Sequence, residues 1–169
     1  MKKRTWPLFA WISILITGGG VFLFSKTVKV LTVSNSDHPC SLLFKIAPSE
    51  RFAMFYTHSI YDVLVEETFE ARSGSILLKS IKTDSPAVLE YYGFEGTGES
   101  QDMNLSLGPT FAVKVGVRQE QKLAVGEKTI DLHTIADPGD RVRISVDSVS
   151  LASYVLSAIF RQGKSAPRQ

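Results

Sequence analysis

The chain has very little cysteine: one residue, Cys40, in 169. It can form no intramolecular disulfide framework and no cysteine-based zinc cluster. It also lacks charge of one sign, since 19 Lys and Arg against 17 Asp and Glu leave a net of +2. That balance excludes a polyanion-binding surface as the main feature and argues against a nucleic-acid partner. No Gly-x-Ser-x-Gly nucleophile motif occurs, and no His-x-His or Glu-x-x-His pair suggests a metal ligand set. There is no internal repeat. What is present, 44% hydrophobic and 21% charged residues, excludes global disorder and gives one domain of ordinary size.

Long apolar runs are also scarce, and the exception is N-terminal. Lys2-Lys3-Arg4 precede Thr5 to Ser25, 21 residues without a charge, and Lys26 ends the run. At about 1.5 Å per helical residue this length spans the ~30 Å hydrocarbon core. Trp6 and Trp11 lie toward the basic end, where indole suits the headgroup region. The rival reading is a cleaved secretory signal peptide, but no Ala-x-Ala-like site follows Phe22-Leu23-Phe24-Ser25. The reading taken is a retained anchor over residues 1–26 in the cell membrane, crossing once. The basic flank is then cytoplasmic and the rest extracytoplasmic. All 17 acids lie after Ser25, so the exported part carries 16 bases against 17 acids, a net of −1. A lone Cys40 in an oxidising compartment is expected to be buried.

The exported part reads as β. Period-2 alternation marks strands over 42–46, 52–57, 63–69, 111–117 and 142–146, with weaker candidates at 28–33, 75–81, 123–125 and 129–132. Reversals are expected at Pro48-Ser49, Ser73-Gly74, Gly126-Glu127-Lys128 and Asp137-Pro138-Gly139-Asp140. Residues 92–110 are Gly-rich and polar, and read as a long loop with one short strand near Met103 to Leu107. Leu151, Val155, Leu156, Ile159 and Phe160 then recur at helical spacing behind Ser148 or Ser150 as N-cap. The preferred reading is a helix closing one end of the sheet, the sharper one a helix that touches a membrane or partner. The expected fold is thus mostly β: an antiparallel sandwich or barrel-like domain over 27–162 with a C-terminal helix. One transmembrane helix precedes it and a disordered tail, 163–169, follows.

One constellation stands out, at residues 52–67. If two strands reverse near Ser59 to Asp62, apolar meets apolar only when even positions of the first face odd positions of the second. His58 and Glu67 then share an apolar face. A carboxylate there must be paired, protonated or bound to something. His58 is the partner nearest to hand, with the hydroxyls of Tyr56, Thr57 and Ser59 close in sequence. The options are a structural network, a small-solute site, or a metal or catalytic site. Two metal ligands are too few, and adjacent His58 and Ser59 point to opposite faces of a strand. No metal and no cofactor is therefore expected. His38 and His133 read as loop and structural residues, and Glu66, Glu70 and Asp62 as the strand's solvent face. Tyr91-Tyr92 could line a site but are ordinary in a β protein.

This segment resembles the hallmark of the bacterial and archaeal domain-of-unknown-function family eighteen-fifty: Tyr-Thr-His-Ser-Val, three variable positions, Pro-Val, one variable position and Glu. Tyr56-Thr57-His58-Ser59 match, Ile60 replaces Val, Leu64 stands where Pro is usual, Val65 matches and Glu67 falls on the Glu. The family's Phe-Gly-Ala-Gly-like stretch is matched only in part by Tyr92-Gly93-Phe94-Glu95-Gly96. The resemblance covers roughly residues 40–147. It implies a small exported or membrane-anchored protein with an accessory role in uptake by tripartite ATP-independent periplasmic (TRAP) transporters of the TAXI type, and no established activity. The reading taken is a non-enzymatic, membrane-anchored accessory protein with the permease or its solute receptor as partner. The alternative is an extracytoplasmic small-solute or metal-binding module using the His58–Glu67 face.

Overall fold

The computed structural model describes residues 21–72, 74–94, 100–117 and 120–162. Among these the order is β1 (Thr27–Asn35), β2 (Ser41–Lys45), β3 (Arg51–Thr57), β4 (Leu64–Arg72), β5 (Ser75–Thr83), α1 (Pro86–Tyr91), β6 (Ser100–Gly108), β7 (Thr110–Lys114), β8 (Gln121–Val125), β9 (Lys128–Asp131), a 3-10 turn (Leu132–Thr134), β10 (Arg141–Ser150) and α2 (Leu151–Gln162). The protein is mostly β, with two antiparallel sheets and a C-terminal helix. The four-stranded sheet has the order β2-β1-β10-β7 and the six-stranded sheet β6-β5-β4-β3-β8-β9.

The strands form where apolar residues alternate, because one face of each sheet is buried. Phe52, Met54, Val65, Phe69, Ile76, Leu78, Ile81 and Leu123 of the six-stranded sheet join Leu31, Val33, Phe44, Val142 and Ile144 of the other in one core. Phe69 stacks on Phe52 at 5.1 Å between ring centroids and on Phe111 of β7 at 5.0 Å. Cys40 is half-buried against this core and is a free thiol.

Two compact units divide the chain: Lys29–Asp147, and Met1–Val28 together with Ser148–Gln169. In the latter, residues 21–25 are helical. Ser150 caps α2 as expected, its Oγ accepting from Ser153 N–H at 3.1 Å.

Several expectations need correction. The long loop over 92–110 is much shorter, because β6 is a strand of nine residues from Ser100 to Gly108. Met103 and Leu107 of this edge strand pack against the core within the short strand expected there, whereas Ser100, Gln101 and Asp102 ahead of them carry no apolar residue to mark where the strand begins. The helix α1 was not expected. Its signals are Ser85, whose Oγ accepts from Val88 N–H, and Pro86 in the first turn, where a missing N–H costs nothing. Glu70 is buried rather than on a solvent face, and its carboxylate accepts from Arg72 Nε at 2.6 Å. Of the apolar stripe of α2, Leu151 is half-buried while Val155, Leu156 and Ile159 are exposed. Most of the anchor (residues 1–20) and the tail (163–169) lie outside the described residues. Among the described residues no helix is long and apolar enough to cross a membrane.

Candidate functional site

β3 and β4 form a hairpin in the register that pairs Phe52 with Phe69, Met54 with Glu67, Tyr56 with Val65 and Thr57 with Leu64. Even positions of β3 face odd positions of β4, as the apolar pattern requires. Beyond Thr57 the ladder closes through His58 N–H to Val63 C=O and Asp62 N–H to His58 C=O, both at 2.8 Å. Asp62 occupies the left-handed region at φ 51°, which Asp tolerates better than most residues.

This register turns Glu67 inward, and the structure buries it. Its Oε1 accepts from Tyr92 Oη at 2.7 Å and from Tyr56 Oη at 3.1 Å, while the two hydroxyls lie 2.8 Å apart. Tyr56 reaches Glu67 from the neighbouring strand. Tyr92 arrives from the C-terminal end of α1, which the buried Val88 and Leu89 hold in place. Burial pushes the Glu67 carboxyl above the usual carboxylate range, and the tyrosine hydrogen bonds only partly oppose it. Burial, then the Glu67 charge, pushes both tyrosines up as well.

The three oxygens form a triangle with three short edges. With both hydroxyls donating to Oε1, the edge between the tyrosines has no proton of its own, and a hydrogen bond forms there only when one hydroxyl turns from the carboxyl to the other. No described residue hydrogen-bonds Glu67 Oε2. Every fully buried side-chain N or O atom of the described residues has a partner, so Oε2 retains some access to solvent.

His58, expected beside Glu67, instead sits at the mouth of the hairpin, where the strand has ended. Its Nδ1 accepts from Ile60 N–H at 3.3 Å, and its ring lies 5.1 Å from Tyr61 and 5.9 Å from Tyr91. Tyr91 meets Tyr92 edge-on at 5.6 Å. A series of ring contacts therefore runs from Tyr61 through His58 and Tyr91 to Tyr92, and so to the buried carboxyl. Around its outer end Ile60, Tyr61, Leu64 and Tyr91 are exposed by 75%, 43%, 64% and 71%. Thr57 is half-buried and Ser59 exposed. The structure thus brings Tyr56 and Glu67 together, adds Tyr92, and places His58 and Ser59 at the rim.

Two polar clusters lie elsewhere. His133 faces an acceptor with each ring nitrogen, Gly116 C=O at 3.0 Å and Asp131 Oδ1 at 3.1 Å. The Gly116 carbonyl first, and then Asp131, raise its pKa. Buried Asn35 donates to Asp140 Oδ2 at 2.8 Å and to Ile135 C=O at 3.2 Å, and accepts from the Asp37 and His38 amides. His38, Asp137 and Asp140 offer metal-type donor atoms within 4.8 Å of one another. Asp140 Oδ2 is already engaged there, accepting from Asn35 and from Asp137 N–H.

No protein-family model matches the chain, and no curated protein or solved structure is significantly similar to it.

Proposed function

We propose that the chain is a non-enzymatic accessory protein of a TAXI-type TRAP transporter, held by its N-terminal run to the outer face of the cell membrane. Its two sheets face each other as a β-sandwich in this reading. The observation that supports it is the division of labour within the 56–67 segment. The polar groups Tyr56 and Glu67 are engaged inward, with Tyr92, while Ile60, Tyr61, Leu64 and Tyr91 are turned outward. Aromatic and aliphatic side chains on a fixed rim suit the centre of a protein–protein contact. A catalytic site would instead aim its nucleophile and base at an open cleft. Tethering to the membrane raises the local concentration of a membrane partner, so a small contact suffices.

The test is co-purification of tagged full-length protein from native membranes in mild detergent, beside an Ile60→Asp, Tyr91→Ala variant. The expected result is a transporter permease or its solute receptor at near-stoichiometric yield, falling about tenfold in the variant. Recovery of the protein alone from its native membranes overturns the reading.

One observation favours a second reading, a small-solute site: Glu67 Oε2 has no hydrogen bond from the described residues, although the residue is buried. A solute carrying a hydroxyl or amine donor would complete that oxygen. Such a solute stabilises the parent protein against heat and leaves a folded Glu67→Gln variant unaffected.

A further inference from the structure

We propose that α2 lies flat in the membrane interface, with Val155, Leu156 and Ile159 against the acyl chains of an anionic phospholipid surface. The inference rests on the reading of the N-terminal run as a membrane anchor and deepens it, giving the C-terminal helix the same solvent.

Three observations converge. The first is exposure: Val155, Leu156 and Ile159 of α2 are exposed by 40%, 49% and 60%. They recur on one helical face, while Ser153 and Ser157 fall between them. The second is position. Leu151 N–H, at the start of α2, donates to the carbonyl of Lys26 at 2.7 Å. Lys26 is the residue that ends the 21-residue uncharged run, so the helix begins where that run stops. The run's last residues in the same unit, Val21, Phe22, Leu23 and Phe24, are themselves exposed.

The third observation is charge. The unit made of Met1–Val28 and Ser148–Gln169 contains no acid and seven bases. The anchor reading puts Lys2, Lys3 and Arg4 across the bilayer and leaves Lys26, Arg161, Lys164 and Arg168 on the side of α2. All 17 acids fall in Lys29–Asp147, against 12 bases. A segment whose charges are all positive suits a plane of phosphates over hydrocarbon. A second copy of the same unit would set four positive charges against four. At 12 residues α2 is about 18 Å long, too short to span, so its apolar face meets lipid only by lying along the surface.

The test uses the full chain reconstituted in vesicles of phosphatidylethanolamine with phosphatidylglycerol. Spin labels go on single cysteines replacing Ser153, Val155, Leu156, Ser157 and Ile159 in a Cys40→Ala background. Should that background fail to fold, photo-crosslinking residues at the same positions report lipid adducts instead. The expected pattern is helical. Oxygen exceeds a water-soluble nickel chelate several-fold in accessibility at 155, 156 and 159, and the ratio reverses at 153 and 157. Replacing phosphatidylglycerol by phosphatidylcholine shrinks the contrast; an unchanged contrast removes the anionic part of the proposal. Uniform access to the chelate overturns it, as does exclusion of both probes, which marks a protein neighbour. If the helix is wet and alkaline carbonate extracts the protein, the anchor reading fails too. If the helix is wet and the protein stays embedded, only this inference fails.

Discussion

Glu67 and Asp140 are carboxylates of the same compact unit, and each accepts two hydrogen bonds, yet their proton affinities move in opposite directions. Glu67 takes both from tyrosine hydroxyls inside the six-stranded sheet, and burial raises its pKa. Asp140 takes one from the Asn35 amide and one from Asp137 N–H, and those bonds lower its pKa. The number of donors does not separate them; solvent does. A buried carboxylate surrenders more hydration than two neutral hydroxyls return, while one near water keeps its hydration and gains the donors besides.

The largest expected effect breaks the Asp140 side. Asn35→Ala removes two donated and two accepted hydrogen bonds from a buried residue. It should lower the unfolding free energy by about 2–4 kcal/mol in urea titration, without changing the slope. On the Glu67 side, Tyr92→Phe opens the triangle while keeping the ring against Tyr91. The expected loss is about 1 kcal/mol, and a double-mutant cycle with Tyr56→Phe should be non-additive because the two hydroxyls touch.

The sharpest comparison is of signs. Between the ordinary carboxylate pKa and the raised one, native Glu67 keeps its proton more often than the unfolded chain does. The domain therefore loses stability as the pH rises from the ordinary carboxylate range through the raised pKa. Glu67→Gln should flatten the stability profile in that window and raise stability above it. Asp140 works the other way: its contribution is present above the ordinary Asp value and is lost as the pH falls through the lowered pKa. Asp140→Asn should reduce stability at neutral pH and leave the acid end unchanged. Urea titrations across pH decide both, and equal signs for the two substitutions would mean that burial does not separate the two carboxylates.

Much of the Glu67 site was legible in the residues, because a half-buried hairpin has only one register that keeps Phe52, Met54 and Tyr56 on the side of Val65 and Phe69. That alone placed Glu67 inward. Parity says which face a side chain takes and nothing about what covers it. Tyr92, 25 residues away in sequence, carries no sign of being its partner, for paired tyrosines are ordinary in a β protein. His58 was misplaced because the alternation was carried one residue past Thr57, where the backbone already turns. The start of β6 and the whole of α1 escape the pattern for different reasons: Ser100, Gln101 and Asp102 carry no apolar residue, and α1, at six residues, is too short to show a helical period.

The order of strands has a consequence for the timing of folding. The six strands of the larger sheet all lie between β3 and β9, a stretch that gives up only β7 to the other sheet, and all of them exist once Asp131 has emerged during synthesis. The four-stranded sheet places β1, the earliest strand, beside β10, the latest. Closing that pair brings together segments more than 100 residues apart, so it waits for nearly the whole chain and bears the larger loop-closure entropy. Until then β1 has only β2 beside it. A nascent chain halted after Asp131 would carry one sheet with its full complement of strands and, from the other, the β1–β2 hairpin and a β7 with no β10 to pair with.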